Sequence, residues 1–570
     1  MSVLPTQGLV VSWNHAQWNH WNVSMENKAF GLLMDAVMPA ADQPRPDPPL
    51  SRRTFGECGD RMCKDGSPFV ILGGSLHFWR SHPAEWPRRL QLLRQGGFNT
   101  VSTYLPWNLL EPHPGVFIST TAHPELDFAA FVREADAAGL LVSIRAGPYI
   151  TAEHDFGGYP WWLLQQTYGE NASRTSTFRT TAPWFTALVD RYWDHIIPPL
   201  AALLYTRGAG PIVSFQIDDD SSGPGGECNT SLPTCKYFGY LPYLRDGLRR
   251  RGIDVPITTV GFAENARTAS VLQTVEDVRS IPYNPAGILA SLNDLRQRQP
   301  GRPLWVGELY PGHADFVGSV GHYVGDAGNF SASLATVLNA GASVTIYMGS
   351  GGSNFGTAGS MLFGSNGSVF SKSVTQSYDF DAPITEAGDP HPHKFPAVRS
   401  ILSPSDRAKL VPEALPKAAH GRVAMQYQAS LLTVKGTQPD VTAASPQTFE
   451  ELGIGFGFVR YTHTAKFAGE ATLNLTALRD RGVVLLNGKL QGVLGSWRTE
   501  PPRPHDRRSQ LETAACCCCC RFRLAERERD QQWRRHGGIR LPCSYHAALK
   551  RNPAAAELDC HSGRESRPAL

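Results

Sequence analysis

From about residue 54 the chain switches between two hydrophobic periods. Short apolar runs, of the kind that fill a strand buried on both faces, lie at 69–78, 100–107, 140–150, 211–218, 256–261, 303–309 and 343–349. Between them, segments such as 84–96, 125–138, 183–204 and 235–251 space their apolar residues three and four apart, which is one face of a helix. Strands alternating with helices predict a parallel sheet covered by helices, and the length of the alternation predicts a closed (β/α)8 TIM barrel over 54–400. Seven strands are legible in this way. The eighth, between 261 and 303, has the weakest apolar signal and is expected near 277–283.

The flanking segments are patterned differently. Residues 1–53 show no clear period and end in a proline-rich run, so they read as a disordered N-terminal extension. After residue 400 the texture changes to short alternating runs with turn signals, at 422–434, 453–464 and 482–493, which predicts an incomplete β-sandwich module over 401–497. Residues 498–570 hold fourteen Arg against one Lys and five consecutive cysteines at 516–520. Such text reads as a disordered or out-of-frame tail, because adjacent cysteines lack the spacing of a zinc site.

Charge and composition narrow the partners. Lys and Arg number 54 against 51 Asp and Glu, so nothing points to nucleic acid or an anionic membrane. No run of about 18 apolar residues predicts a membrane span, and the N-terminal residues lack the basic leader of a signal peptide. Six Asn-x-Ser/Thr sites, at Asn22, Asn171, Asn229, Asn329, Asn366 and Asn474, nevertheless suit a glycoprotein of the secretory route. Cys58 with Cys63, and Cys228 with Cys235, read either as disulfides of an oxidising compartment or as free thiols. The expected location is lysosomal, vacuolar or extracellular.

Two strands run into carboxylates. The run at 211–218 ends in Asp218, Asp219 and Asp220, and the run at 303–309 carries Glu308. A retaining glycosidase needs two carboxyl groups roughly 5 Å apart, one as nucleophile and one as acid/base. Parallel strands ending at one rim of a barrel would face them toward each other. The bland alternative makes Glu308 a strand-end cap. Arg145, inside an apolar run, calls for a buried carboxylate partner, plausibly Glu308. His77 reads as a satisfied barrel histidine.

A set of ordered motifs carries a resemblance. Leu72-Gly73-Gly74-Ser75-Leu76-His77-Phe78-Trp79-Arg80, Thr103-Tyr104-Leu105-Pro106-Trp107-Asn108 and Ile144-Arg145-Ala146-Gly147-Pro148-Tyr149 resemble the first three barrel strands of glycoside hydrolase family 35, the β-galactosidases of lysosomes, plants and bacteria. Tyr347-Met348 with Gly351-Gly352-Ser353-Asn354-Phe355-Gly356, and Tyr378-Asp379-Phe380-Asp381-Ala382-Pro383, resemble its eighth strand and the loop beyond. The resemblance implies a retaining exo-β-galactosidase acting on a terminal β-linked galactose. By the same match Glu308 is the nucleophile and Asp220 the acid/base, while Tyr104, Ala152, Glu153, Asp219, Tyr347 and Phe380 line the sugar pocket. This chemistry calls for no metal and no organic cofactor, and the implied partner is a β-galactoside glycan.

The sequence departs from the family at three of these positions. Asp220 stands where the family has glutamate, Asp219 where it has asparagine, and Phe380 where close relatives have tyrosine. Aspartate is shorter by one C–C bond, about 1.5 Å. A weakened enzyme, or a galactoside-binding pseudoenzyme that has lost its acid, is therefore the alternative expectation.

Overall fold

The computed structural model describes residues 53–494, apart from 220–238, 262–270, 277–284, 364–370, 407–410, 466–470 and scattered shorter positions. Outside that span it describes the strand residues 2–4, 9–11, 519–524, 538–542 and 557–562. The chain forms two units, Met1–Arg53 and Thr54–Leu570. In the first, Ser2–Leu4 pairs antiparallel with Leu9–Val11.

The second unit is built on eight strands: β1 (Leu72–Ser75), β2 (Thr100–Tyr104), β3 (Leu141–Arg145), β4 (Ile212–Gln216), β5 (Ile257–Gly261), β6 (Leu272–Glu276), β7 (Trp305–Leu309) and β8 (Ser343–Ile346). Each pairs in parallel with its sequence neighbour, and β8 returns to β1, so the sheet closes into a barrel. β2, β4, β5 and β7 are buried at every position, as strands covered on both faces must be. β6 lies just before the expected 277–283, all of which falls outside the described residues. Its Leu-Gln-Thr-Val-Glu text looks polar, yet Gln273 and Thr274 are buried. Gln299 serves Gln273, and Thr274 Oγ1 donates to the Thr259 carbonyl at 3.1 Å.

Helices α1 (Trp86–Gln95), α2 (Phe128–Ala137), α3 (Pro183–Ala201), α4 (Tyr240–Arg250), α5 (Pro285–Arg298) and α6 (Ala327–Asn339) are the main crossover helices. Their starts follow local chemistry. Asp127 accepts from the Ala130 amide and Asp326 from the Asn329 amide, each satisfying an amide that the first turn leaves unpaired. The apolar face of α2 buries Phe128, Phe131, Val132 and Ala135. The three-stranded sheet Phe55–Cys58, Arg61–Lys64 and Ser67–Phe69 packs Phe55 and Met62 against Val213, Leu272 and Trp305 at the N-terminal ends of the barrel strands. Cys58 and Cys63 form a disulfide across its first hairpin, which resolves the two readings of that pair. Cys228 and Cys235 lie outside the described residues.

Helix α7 (Lys394–Leu402) follows the barrel. Beyond it, Arg460–Ala465, Gly482–Leu486 and Lys489–Leu494 join a four-stranded sheet with Cys519–Leu524, while Ala471–Leu475 joins Gly538–Pro542 and Glu557–Ser562. Three of these strands thus come from the tail whose composition gave no periodic signal, and the rest of that tail lies outside the described residues. The described residues of 422–434 are not strand and are mostly exposed, so the alternation read there has no second face to pack on.

Candidate active site

At the C-terminal rim of the barrel the ladder is irregular on both sides of β7. The β6–β7 register shifts between Val275 and Glu276, and the β7–β8 register shifts between Val306 and Leu309. Such irregularities re-aim a side chain next to a site. The residue re-aimed here is Glu308, only 5% exposed. Gly307 before it has no room for a side chain: a Cβ there would lie 2.4 Å from Thr274 Oγ1.

Glu308 is surrounded by donors. The Tyr104 hydroxyl donates to Oε1 at 3.0 Å, Arg145 Nη2 pairs with the same oxygen, and the Tyr310 hydroxyl donates to Oε2 at 2.6 Å. The partner anticipated for Arg145 is therefore the one found. Arg145 also holds Asp219 Oδ1 at 3.0 Å, and Tyr104 reaches Asp219 Oδ2 at 3.1 Å. One guanidinium and one hydroxyl thus bridge two buried carboxylates. Burial works against the charge of Arg145, but Glu308, Tyr104 and Asp219 outweigh it and raise its pKa above the usual range. Its guanidinium lies over the Tyr104 ring at 3.9 Å. Burial also pushes the Tyr104 hydroxyl well above its ordinary range, so it stays protonated and able to donate.

Asp219 follows a turn that leaves the strand direction. Asp218 has φ 52°, and Arg179 pins it with Nε and Nη2 at 3.1 and 2.6 Å from Oδ2 while also donating to the Asp219 carbonyl. Gln216 Nε2 donates to Asp219 Oδ1 at 3.3 Å. Arg145 and Gln216 thus donate to Asp219 Oδ1, and Asp219 Oδ2 shares the single Tyr104 hydroxyl hydrogen with Glu308, which suits a carboxylate at this position. Asp220, the residue matched to the acid/base, lies outside the described residues.

The opposite wall comes from the loops after β3 and β8. Thr151, Ala152 and Glu153 have φ between 45° and 52°, three consecutive residues in the left-handed region. Each costs on the order of 1 kcal/mol and persists only where its surroundings enforce it. Arg80 supplies part of that enforcement. Its Nη2 donates to the Ala152 carbonyl at 2.6 Å, its Nε to Asn354 Oδ1 at 2.8 Å, and its Nη1 meets His77 Nδ1 at 2.6 Å. Burial, then Arg80 and Arg145, depress the His77 pKa, so its ring is neutral and accepts from Arg80. His154 is likewise pushed down, to about 3, by burial and then by Arg80.

Tyr378 ties this wall together. Its hydroxyl donates to the Glu153 carboxylate and lies 2.9 Å from the Tyr347 hydroxyl, while the Arg80 guanidinium stacks on its ring at 3.6 Å. Burial and then Glu153 raise the pKa values of both tyrosines well above the ordinary range. Phe380 packs against Tyr347, Tyr310 and Tyr378, with ring centroids 5.4, 6.0 and 5.0 Å away. Tyr104, Ala152, Glu153, Asp219, Glu308, Tyr347 and Phe380 therefore fall in one connected cluster. Sequence reasoning missed Arg80, Arg179, Tyr310 and Tyr378. The signal for Arg80 was an arginine at the end of an apolar strand motif; Arg179 lies outside every motif.

Residues 61–404 match the family model of Glycosyl hydrolases family 35. The "Beta-galactosidase" of Felis catus is 33% identical over 458 residues, covering 78% of this chain and 64% of the relative. The mouse "Beta-galactosidase-1-like protein" is 33% identical over 447 residues, covering 76% and 65%. "Beta-galactosidase 8" of rice is 32% identical over 452 residues, covering 77% and 63%. The chain spans slightly less than two thirds of the length of these curated relatives.

Proposed function

Because the chain belongs to glycosyl hydrolase family 35, we propose that it is a retaining exo-β-galactosidase that releases terminal β-D-galactose through a covalent galactosyl-enzyme. The observation that carries the reading is Glu308, a buried carboxylate at the barrel rim whose two oxygens are held by Tyr104, Arg145 and Tyr310. A carboxylate so fixed need not reorganise before it attacks. Glu308 Oε attacks the anomeric carbon and the bond to the leaving oxygen breaks. Asp220, by its place in the motif, gives that oxygen a proton. Water then attacks the ester, Asp220 takes its proton, and galactose leaves with retained configuration. Asp219, Glu153 and Tyr347 contact sugar hydroxyls, and Phe380 lends an apolar surface. The substrate class is a β-galactoside glycan. The location we propose is lysosomal, vacuolar or extracellular, a setting that suits the Cys58–Cys63 disulfide.

The pseudoenzyme reading draws on the same residues, since the acid at position 220 is a methylene short. Leaving groups separate the two. A nitrophenyl galactoside departs with little protonation, whereas an alkyl galactoside depends on the acid. Asp220→Glu is expected to raise turnover of alkyl galactosides well above any gain with nitrophenyl galactosides. Equal gains for both would assign the effect to folding, and no cleavage of either by the unmodified protein would leave only binding.

A further inference from the structure

The segment 377–382, which lines the proposed pocket, alternates in what its side chains touch. Tyr378 and Phe380 face the pocket cluster, on Glu153, Tyr347 and Tyr310. Asp379 and Asp381 face away and meet histidines. His322 Nε2 lies 3.3 Å from Asp379 Oδ1, and its Nδ1 lies 2.5 Å from Asp315 Oδ2. His391 Nε2 lies 3.1 Å from Asp381 Oδ1, and Lys394 Nζ pairs with Asp381 Oδ2. Phe380 and Asp381 have φ of 59° and 51°, so the strap is held in a conformation its residues do not favour alone.

The two anchors differ in kind. Asp381 is 2% exposed and receives Lys394, the Gly325 amide at 2.6 Å and His391. Burial would raise its pKa, but His391 and Lys394 hold it below the usual range. Lys394 thus gives Asp381 a second cation besides His391, although burial lowers the pKa of the lysine itself. Asp379 has no lysine or arginine pair among the described residues; it accepts from the Glu386 amide and faces His322. Both ring nitrogens of His322 point at carboxylate oxygens. A neutral imidazole can donate to only one of them, so the pair of contacts requires the imidazolium.

We propose that His322 is a positioning residue for the galactosidase reaction: as an imidazolium it clamps Asp379 to Asp315 and thereby holds Tyr378 and Phe380 against the pocket, and its deprotonation loosens them. This rests on the function proposed above. The groups facing His322 are Asp315 and Asp379, with Asp381 further off, all anionic. Burial lowers the His322 pKa, and Asp315 and then Asp379 reverse that, with a net rise above 6.5. The clamp is therefore complete below the ordinary histidine pKa and is lost as pH rises through the elevated one.

The test is hydrogen–deuterium exchange of the full chain at pH 5 and pH 8, corrected for intrinsic exchange rates and read on peptides covering 377–383. The unmodified protein should protect these amides severalfold more at pH 5 than at pH 8, as a clamp complete only below the elevated histidine pKa requires. His322→Gln should bring that ratio close to one, and should lower kcat/KM for a nitrophenyl galactoside chiefly at acid pH, flattening the alkaline limb, because glutamine does not titrate and the clamp is then absent at every pH. If His322→Gln fails to fold, Asp315→Asn removes the same bridge and should give the same loss. An unmodified protein with no pH-dependent protection, or variants that keep it in full, would overturn the clamp. Glu308→Gln abolishes turnover but should leave the exchange ratio intact. A protein without galactosidase activity that still shows the switch would thus fail the proposed function and not the clamp.

Discussion

Arg145→Met removes the guanidinium that bridges Asp219 and Glu308. All three side chains are at most 7% exposed, so water does little to screen what remains. The two carboxylates both reach the Tyr104 hydroxyl. Through that shared hydroxyl their oxygens lie no more than about 6 Å apart, so at an effective dielectric near 20 they repel by at least roughly 3 kcal/mol. Removing one partner of a buried ion pair costs about 3–5 kcal/mol in measured cases, which agrees with that figure once lost hydrogen bonds are added. Against a total stability on the order of 5–15 kcal/mol, the barrel would survive but unfold early. Protonating one carboxyl removes the repulsion, so the deficit should shrink on acidification. Urea unfolding at pH 7.5 and 4.5, followed by tryptophan fluorescence, measures both quantities. Arg145→Lys, which keeps the charge but not the planar fork, should fall between. A deficit below about 1 kcal/mol, or one equal at both pH values, would refute the bridging role, because a desolvated pair of like charges must cost more than that.

Gly307→Ala should lower kcat by on the order of 10²-fold, because relieving the contact with Thr274 shifts Glu308 by a fraction of an ångström to about 1 Å. Steady-state kinetics of Gly307→Ala combined with Thr274→Ala, which removes the clashing hydroxyl, should recover most of the loss. Asp219→Asn should lower KM for galactosides by supplying an amide donor, and calorimetry with galactose would read the same change as tighter binding. Deleting 498–570 should leave the barrel's melting temperature unchanged, since the closed sheet takes no strand from the tail; a cooperative fall on scanning calorimetry would tie the tail to the barrel.

The barrel was legible because seven of its strands lie in mostly apolar runs of β-formers, whose few Ser, Thr and charged residues do not break the pattern of a strand covered on both faces. β6 was misplaced because its buried Gln273 and Thr274 look like surface residues until the Thr274 carbonyl is seen to accept from the Gln273 side chain and the Thr259 carbonyl from the Thr274 hydroxyl. Glu308 and Asp219 were legible as carboxylates at strand ends, and Arg145 as an arginine that a strand could bury only with a partner. The roles of Arg80, Tyr310 and Tyr378 were not, since each depends on a loop conformation. The left-handed run Thr151–Ala152–Glu153 brings the Ala152 carbonyl to Arg80 and the Glu153 carboxylate to Tyr378, and no local sequence rule anticipates three such residues in succession. The His322 clamp joins residues 57 positions apart through that same kind of geometry.

Trapping the intermediate tests the central claim most directly. A 2-deoxy-2-fluoro-β-galactosyl fluoride slows both steps but lets the ester form, because its leaving group departs without an acid and the fluorine disfavours hydrolysis of the product. Incubation with the full chain, digestion and tandem mass spectrometry should find one fluorogalactosyl group on the peptide that contains Glu308, absent when galactose competes or when Glu308 is glutamine. A label on any other carboxylate, or turnover of nitrophenyl galactosides with no label at all, would contradict Glu308 as the nucleophile.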